Sequence, residues 1–138
     1  MMCNTNIIET RGCRVLVIDG NAVMRIVLTR MLESLGCTVS VAPSVSNAIE
    51  VLESEPSDLI LLDGRFADGT GAEIIRHVRS KLHSTVPIIV VSSDDSVGHI
   101  REMLAAGADS FLVKPVSISQ IRLVVDKILL NRAEAGIA

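Results

Sequence analysis

The amino-acid sequence predicts an α/β domain, a three-layer α/β/α sandwich in which helices cover both faces of a parallel sheet. Short apolar runs rich in valine and isoleucine recur five times, and segments with helical spacing separate them. A strand buried on both faces reads as a continuous apolar run, and right-handed crossovers through helices make successive strands parallel. The predicted strands are residues 14–18, 37–41, 58–62, 87–91 and 109–113.

The length of the chain permits one folded domain. Its 138 residues, of which 49% are apolar, are enough to bury one hydrophobic core but not two. We expect a flexible N-terminal extension over residues 1–12, a folded domain over residues 13–130 and a flexible C-terminal tail over residues 131–138.

Composition and charge argue against nucleic acid and membrane as partners. The net charge is −3, the isoelectric point is near 5.5, and only Phe66 and Phe111 are aromatic. A binder of phosphate backbones or stacked bases would need basic patches and aromatic platforms. No apolar run approaches the ~20 residues that span a bilayer. The three cysteines lack paired spacing and are typical of reduced thiols, which favours a cytoplasmic location.

The predicted helices have recognisable start and stop signals. The first follows Asn21, a good N-cap, and ends before Gly36. The others begin near Ser44, Gly71, Ser96 and Ser117. Helical spacing predicts the core-facing residues of four helices. They are Met24, Val27, Met31 and Leu35 in the first helix, Ala48, Ile49 and Leu52 in the second, Ile75 and Val78 in the third, and Ile118, Ile121, Val125 and Ile128 in the last.

The last helix carries a second apolar line, Leu123 and Leu130. With this second line, the apolar surface of the helix is wider than one buried face requires. It fits either a seam for a homodimer or another partner, or a broad stripe that faces the core.

Polar side chains directly follow four of the predicted strands. They are Asp19, Asp63, Ser92 and Lys114. In an open parallel sheet, residues beyond the carboxyl ends of the strands share one crevice, so these four side chains are expected to meet. Each alone is typical of a helix cap or a surface charge. Together they predict a site with two carboxylates, one hydroxyl and one ammonium.

The joint pattern resembles the response-regulator receiver family, the CheY-like phosphoacceptor domains of two-component systems. The resemblance covers about residues 13–130 and rests on these four positions, on Gly71 eight residues after Asp63, and on the Lys-Pro pair. The segments VLVIDGNAVMR, MLESLGCTV and AAGADSFLVKPV are most similar to receiver modules of hybrid histidine kinases. The resemblance implies a flavodoxin-like (βα)5 fold with strand order 2-1-3-4-5.

The resemblance also implies the chemistry. Asp63 would accept a phosphoryl group from a histidine kinase or a histidine phosphotransfer protein, as a step of a phosphorelay. Mg²⁺ would be the cofactor, held by Asp19, Asp63 and the backbone carbonyl of Arg65. The chain would not be an enzyme on other substrates, and would catalyse at most its own phosphorylation and dephosphorylation.

The remaining site positions follow from the same resemblance. Lys114 and Ser92 would contact phosphoryl oxygens, and the bond before Pro115 would be cis. Ser92 and Phe111 would form the switch that reshapes the face built from the fourth helix, the fifth strand and the fifth helix. A downstream protein would bind that face.

The sequence departs from the family in the acidic pair after the first strand. Gly20 stands where the second acid, a direct metal ligand, is expected, so metal binding should be weaker. The guanidinium of Arg65 either folds back to neutralise the site or points to solvent. Ala67, in place of the usual proline, predicts a more mobile loop over residues 64–71.

Two functions therefore stay open: a phosphorylated signalling receiver, and a degenerate pseudo-receiver that docks partners without phosphorylation. A haloacid-dehalogenase phosphatase would need an acid two residues after its nucleophile, whereas the next acid after Asp63 is Asp68. We expect His77, His83 and His99 to be solvated surface residues.

Overall fold

A five-stranded parallel sheet organises the chain. The computed structural model describes residues 13–137, and the strands lie in the order β2-β1-β3-β4-β5, as the flavodoxin-like prediction requires. The strands are β1 (Arg14–Ile18), β2 (Thr38–Ala42), β3 (Leu59–Leu62), β4 (Ile88–Ser92) and β5 (Ser110–Val113). Separately, the pairs Arg65–Phe66 and Gly69–Thr70 form a short antiparallel hairpin after β3.

Helices cover both faces of this sheet. One face carries α1 (Ala22–Ser34) and α5 (Ile118–Ile137). The other carries α2 (Val45–Ser54), α3 (Gly71–Arg76) and α4 (Val97–Ala106), and a π-helical turn, His77–Lys81, extends α3. The three-layer α/β/α prediction is thus confirmed.

The strands contribute side chains to two separate cores. In β1, Leu16 and Ile18 pack with α2, α3 and α4, whereas Val15 and Val17 pack with α1 and α5. All four of these side chains are at most 1% exposed. This double burial is why the strand sequences are continuously apolar rather than alternating.

The helix caps fix where each helix begins and ends. The side chains of Asn21, Ser44 and Ser96 accept backbone N–H bonds at the starts of α1, α2 and α4, at the predicted positions. Gly36 and Gly107 follow α1 and α4 with φ of 90° and 122°, a conformation that glycine adopts readily.

The buried face of α1 differs from its prediction. Val27 was expected in the core, but it is 36% exposed, and Leu28 and Leu32 are the fully buried residues instead. The helix carries consecutive apolar residues, so more than one stripe satisfies helical spacing. Contact with β1 and β2 selects between the stripes.

Cys13 and Cys37 lie side by side just before β1 and β2, where both are buried and neither forms a disulfide. A hydrogen bond from the Cys13 side chain lowers the pKa of the Cys37 thiol, against the effect of burial. Cys3 and the expected extension over residues 1–12 lie outside the described residues. The last helix continues to Ile137, past the point where a flexible tail was expected. Between residues 13 and 137, no helix is long and apolar enough to cross a bilayer.

Candidate functional site

The site lies at the carboxyl ends of the four strands β1, β3, β4 and β5. Backbone hydrogen bonds set the register of the residues that follow these strands: the Asp63 N–H donates to the Ile18 carbonyl at 2.9 Å, and the Lys114 N–H donates to the Ser92 carbonyl at 2.9 Å. The two carboxylates and the ammonium therefore meet in one cleft, with the Ser92 hydroxyl at its side.

Asp19 is a buried carboxylate with both oxygens occupied. Its side chain is 2% exposed. Its Oδ1 accepts the Asn21 backbone N–H at 2.8 Å, and its Oδ2 accepts from the Lys114 ammonium at 2.9 Å. Charge pairing and hydrogen bonding of this kind offset the cost of removing a carboxylate from water.

Lys114 bridges the two carboxylates. Its Nζ lies 2.9 Å from Asp19 Oδ2 and 3.4 Å from Asp63 Oδ2. The peptide bond to Pro115 is cis. One ammonium thus faces two carboxylates, which leaves these three groups with a formal charge of −1.

Asp63 is the accessible carboxylate of the cleft. Its side chain is 20% exposed, and its Oδ1 accepts the Gly64 backbone N–H at 2.7 Å. Burial raises the pKa of the Asp63 carboxyl, and the Asp19 charge raises it further, whereas Lys114 and the Gly64 N–H act in the opposite direction.

We expect Asp63→Asn to raise the free energy of unfolding at pH 7 by ~0.5–2 kcal/mol in metal-free buffer, the range of single stabilising substitutions. The folded pKa of Asp63 lies above the ordinary 3.8. The folded state therefore binds the proton more tightly, and its stability falls as the pH rises from 3.8 through the folded pKa. The asparagine side chain does not ionise, so Asp63→Asn does not lose stability as the pH rises.

Urea unfolding between pH 3 and pH 7 measures the difference. The two proteins should converge at the acid end, and Asp95→Asn, at an exposed position, should track wild type throughout. A stabilisation of equal size at pH 3 and pH 7 would contradict the electrostatic origin.

Gly71 lets the chain fold tightly behind Asp63. Its N–H donates to the Gly64 carbonyl at 2.8 Å. A β-carbon at Gly71 would lie 2.5 Å from the Asp63 carbonyl oxygen and 3.0 Å from a Leu62 methyl. The absence of a side chain at Gly71 thus permits the turn that aims Asp63 into the cleft.

Ser92 has an unexpected neighbour. Its hydroxyl is buried, accepts the Asp94 backbone N–H at 3.2 Å, and lies 3.3 Å from Nε2 of His99. The His99 ring packs edge-on against Phe111, with centroids 5.6 Å apart and an interplanar angle of 85°. His99 is 6% exposed, so its assignment as a solvated residue was wrong.

The other two histidines lie away from this cleft. His77 is mostly buried and its Nε2 lies 3.2 Å from Glu53 Oε2, so it too was wrongly assigned to the solvated surface. His83 is exposed, as expected, with φ of 49°.

Arg65 does not neutralise the two carboxylates. Its guanidinium, 69% exposed, forms an ion pair with Asp94 across the rim of the cleft. This pair raises the pKa of Arg65 and lowers that of Asp94. Arg65 therefore does not balance the formal charge of −1 in the cleft, and this charge attracts another cation.

Asp68 serves the structure rather than the cleft. Its carboxylate accepts the backbone N–H groups of Val45 and Ser46, at 3.0 and 3.2 Å, at the start of α2. These bonds lower the pKa of the Asp68 carboxyl. Asp68 therefore cannot act as the second acid of a phosphatase that uses Asp63, which removes that alternative.

Comparison with known proteins decides the family. A family model described as the response regulator receiver domain matches residues 15–126. The chain belongs to the response-regulator receiver family. Receiver domains of this family are signalling modules rather than classical enzymes, and they interact with histidine kinases or phosphotransfer proteins.

Individual relatives agree with this receiver assignment. The two-component response regulator ORR5 of rice (Oryza sativa subsp. japonica) is 31% identical over 92% of this chain and 97% of its own length. A two-component response regulator from Clostridium difficile superposes with a TM-score of 0.80 at 28% identity, over 84% of this chain and 94% of its own.

A third receiver structure bears on the metal. The receiver domain of sensor histidine kinase PA1611 from Pseudomonas aeruginosa, with a magnesium ion coordinated in its active-site cleft, superposes with a TM-score of 0.79 at 27% identity, over 86% of this chain and 98% of its own. Receiver domains as a family bind Mg²⁺ at this site.

The donors in this receiver cleft fit magnesium chemically. Asp19 and Asp63 supply carboxylate oxygens, and Mg²⁺ is commonly bound by one or two carboxylates together with waters and phosphate oxygens. Within the described part of the chain, no three acidic, histidine or cysteine side chains gather into a metal-binding group. Gly20, directly after Asp19, supplies no carboxylate to the cleft.

Proposed function

We propose that this receiver accepts a phosphoryl group on Asp63 from the phosphohistidine of a histidine kinase or a histidine phosphotransfer protein, and that it signals by protein contact. One observation carries the assignment to Asp63. Of the two carboxylates in the cleft, Asp63 is 20% exposed, whereas Asp19 is 2% exposed and has both oxygens occupied. A nucleophile must be reachable by the phosphorus atom.

In the proposed reaction, a carboxylate oxygen of Asp63 forms a bond to phosphorus as the bond from phosphorus to the histidine nitrogen breaks. The nitrogen leaves with the electron pair of that bond, and the product is an acyl phosphate. Lys114, 3.4 Å from Asp63 Oδ2, provides positive charge next to the transferred group. The Ser92 hydroxyl donates to a phosphoryl oxygen once it turns toward the cleft.

The metal ligands in this proposal are Asp19, Asp63 and the backbone carbonyl of Arg65. Mg²⁺ bound there supplies positive charge that offsets the charge on the transferred phosphoryl group. Lys114 pairs with Asp19 and Asp63, and keeps both carboxylates oriented.

The output surface is the face formed by α4, β5 and α5, where a downstream protein binds. Ser92 and Phe111 form the switch beneath it. Exposed apolar side chains on these three elements support the proposal, because contact with a partner would remove their apolar surface from water. They are Val97, Leu104, Val113, Leu123 and Leu130. Leu123 and Leu130 are 71% and 56% exposed, so the alternative of a core-facing stripe is wrong; a homodimer is the other occupant that this face fits.

We place the receiver domain at residues 13–130, consistent with the family match over 15–126. Cys13 and Cys37 lie next to each other without forming a disulfide, which fits a reducing compartment and supports a cytoplasmic location.

Intact-mass spectrometry after incubation with acetyl phosphate and Mg²⁺ tests the proposal. We expect one phosphoryl adduct on wild type and none on Asp63→Asn. Asp95→Asn, at an exposed position, is the matched control and should be modified like wild type. An adduct that persists in Asp63→Asn would contradict the assignment.

The second candidate is a pseudo-receiver that docks partners without phosphorylation. Gly20 favours it, because the position of a direct metal ligand has no side chain. This candidate predicts no adduct on wild type with acetyl phosphate or with a phosphorylated histidine phosphotransfer protein. It also predicts that partner binding is the same for wild type and Asp63→Asn.

A further inference from the structure

His99 lies directly beside the proposed switch, in a place that none of the functional roles above explains. The residue is in the first turn of α4, 6% exposed, between the Ser92 hydroxyl and the Phe111 ring. Its Nε2 is 3.3 Å from Ser92 Oγ. A polar ring buried against both switch residues can influence their movement directly.

Gly64 creates the space that His99 fills. A β-carbon at Gly64 would overlap the imidazole at Nε2 and would lie 3.2 Å from Ser92 Oγ. Gly64 is not among the residues with positive φ, so a left-handed backbone is not the reason for a glycine here. The contact with His99, rather than the backbone, therefore requires glycine directly after Asp63.

The hydrogen-bond donors and acceptors of Ser92 and His99 determine what their contact does. A serine hydroxyl has one proton to donate. Ser92 Oγ accepts the Asp94 N–H and lies 3.3 Å from Nε2 of His99, a contact in which the hydroxyl donates when Nε2 carries no proton. With its ring proton on Nδ1, 3.9 Å from the Asp94 carboxylate, His99 leaves Nε2 free to accept the Ser92 proton.

The phosphoryl group on Asp63 needs the same proton from Ser92. We propose that His99 is a positioning residue that holds the Ser92 hydroxyl in the unphosphorylated arrangement, and that Gly64 is the residue that admits it. Phosphorylation must then break the bond between Ser92 and His99, so His99 opposes the phosphorylated state. This inference rests on the proposed phosphorylation of Asp63.

Beryllofluoride, a phosphoryl mimic, tests the competition when its binding is measured by isothermal titration in the presence of Mg²⁺. His99→Leu removes both ring nitrogens and should tighten binding about two- to tenfold, the worth of one ordinary hydrogen bond. His99→Gln places an amide oxygen near the position of Nε2 and should stay close to wild type. His77→Leu, which also removes a histidine, is the matched control.

A gain in affinity separates this role from a merely structural one, because damage to the fold would weaken binding. Unchanged or weaker binding by His99→Leu would overturn the proposal, as would equal gains for His99→Leu and His99→Gln.

A double-mutant cycle on thermal unfolding tests the contact without any phosphoryl group. Gly64→Ala should lower Tm by at least about 3 °C in wild type, because the new methyl group displaces the imidazole, and by much less in His99→Ala. Equal losses in the two backgrounds would overturn the pairing of Gly64 with His99. If wild type binds no beryllofluoride while the cycle shows coupling, the phosphoacceptor assignment of Asp63 fails rather than the contact.

Discussion

Replacing Lys114 by methionine is expected to lower the free energy of unfolding at pH 7 by about 3–5 kcal/mol, the cost of leaving a buried charge without its partner. Its ammonium lies 2.9 Å from Asp19 Oδ2 and 3.4 Å from Asp63 Oδ2. Without it, two carboxylates, one of them 2% exposed, repel each other across the cleft. The formal charge of the three groups falls from −1 to −2.

Urea unfolding in metal-free buffer measures this loss, with Lys81→Met at an exposed position as the control. Lys114 lowers the pKa of Asp63, so its removal raises the folded pKa further. The deficit should therefore grow as the pH rises through that pKa, and shrink toward pH 3 as the carboxyl takes up a proton. A loss as small as that of Lys81→Met would show that the ammonium contributes nothing to stability.

The ends of the strands were the most predictable part of the site. Asp19, Asp63 and Lys114 directly follow apolar runs, and the topology of a parallel sheet alone brings them together. The exact bounds were less predictable. The second strand was expected to begin at residue 37, but the Cys37 N–H bonds to the Leu32 carbonyl at the end of α1, so the strand begins at Thr38. An apolar run indicates that a strand exists, whereas the ends of the strand depend on which carbonyl each backbone N–H bonds to.

His99 could not have been placed from spacing. Its burial depends on Gly64, 35 positions earlier, and neither residue belongs to the pattern that identified the cleft. The one signal in the sequence was the glycine directly after Asp63. Arg65 was similarly ambiguous, because its long side chain reaches either the carboxylates or Asp94. The ion pair with Asp94 is favoured because, at the rim, both Arg65 and Asp94 stay partly solvated, so the pair costs little desolvation.

Gly20 is the position where one substitution should change the metal chemistry most. A β-carbon there would lie 3.6 Å from the Pro43 carbonyl oxygen and 4.0 Å from a Phe66 ring carbon, which are ordinary contact distances. Its φ is not among the positive values, so a side chain meets no backbone strain. An aspartate at this position therefore fits, and it would lower the formal charge of the cleft from −1 to −2.

We expect Gly20→Asp to tighten Mg²⁺ binding at least about tenfold, since even disturbing a group behind a metal ligand changes affinity by that factor. Titration calorimetry measures it, and Gly20→Asn, similar in size but neutral, should tighten binding much less. Equal effects of the two substitutions would contradict the electrostatic argument. In metal-free buffer, Gly20→Asp should also lower the free energy of unfolding, because a third carboxylate adds repulsion to Asp19 and Asp63, and Mg²⁺ should reverse that loss. The opposite signs of the two effects follow from one added charge, so their joint appearance would identify Gly20 as the position that limits metal affinity in this receiver.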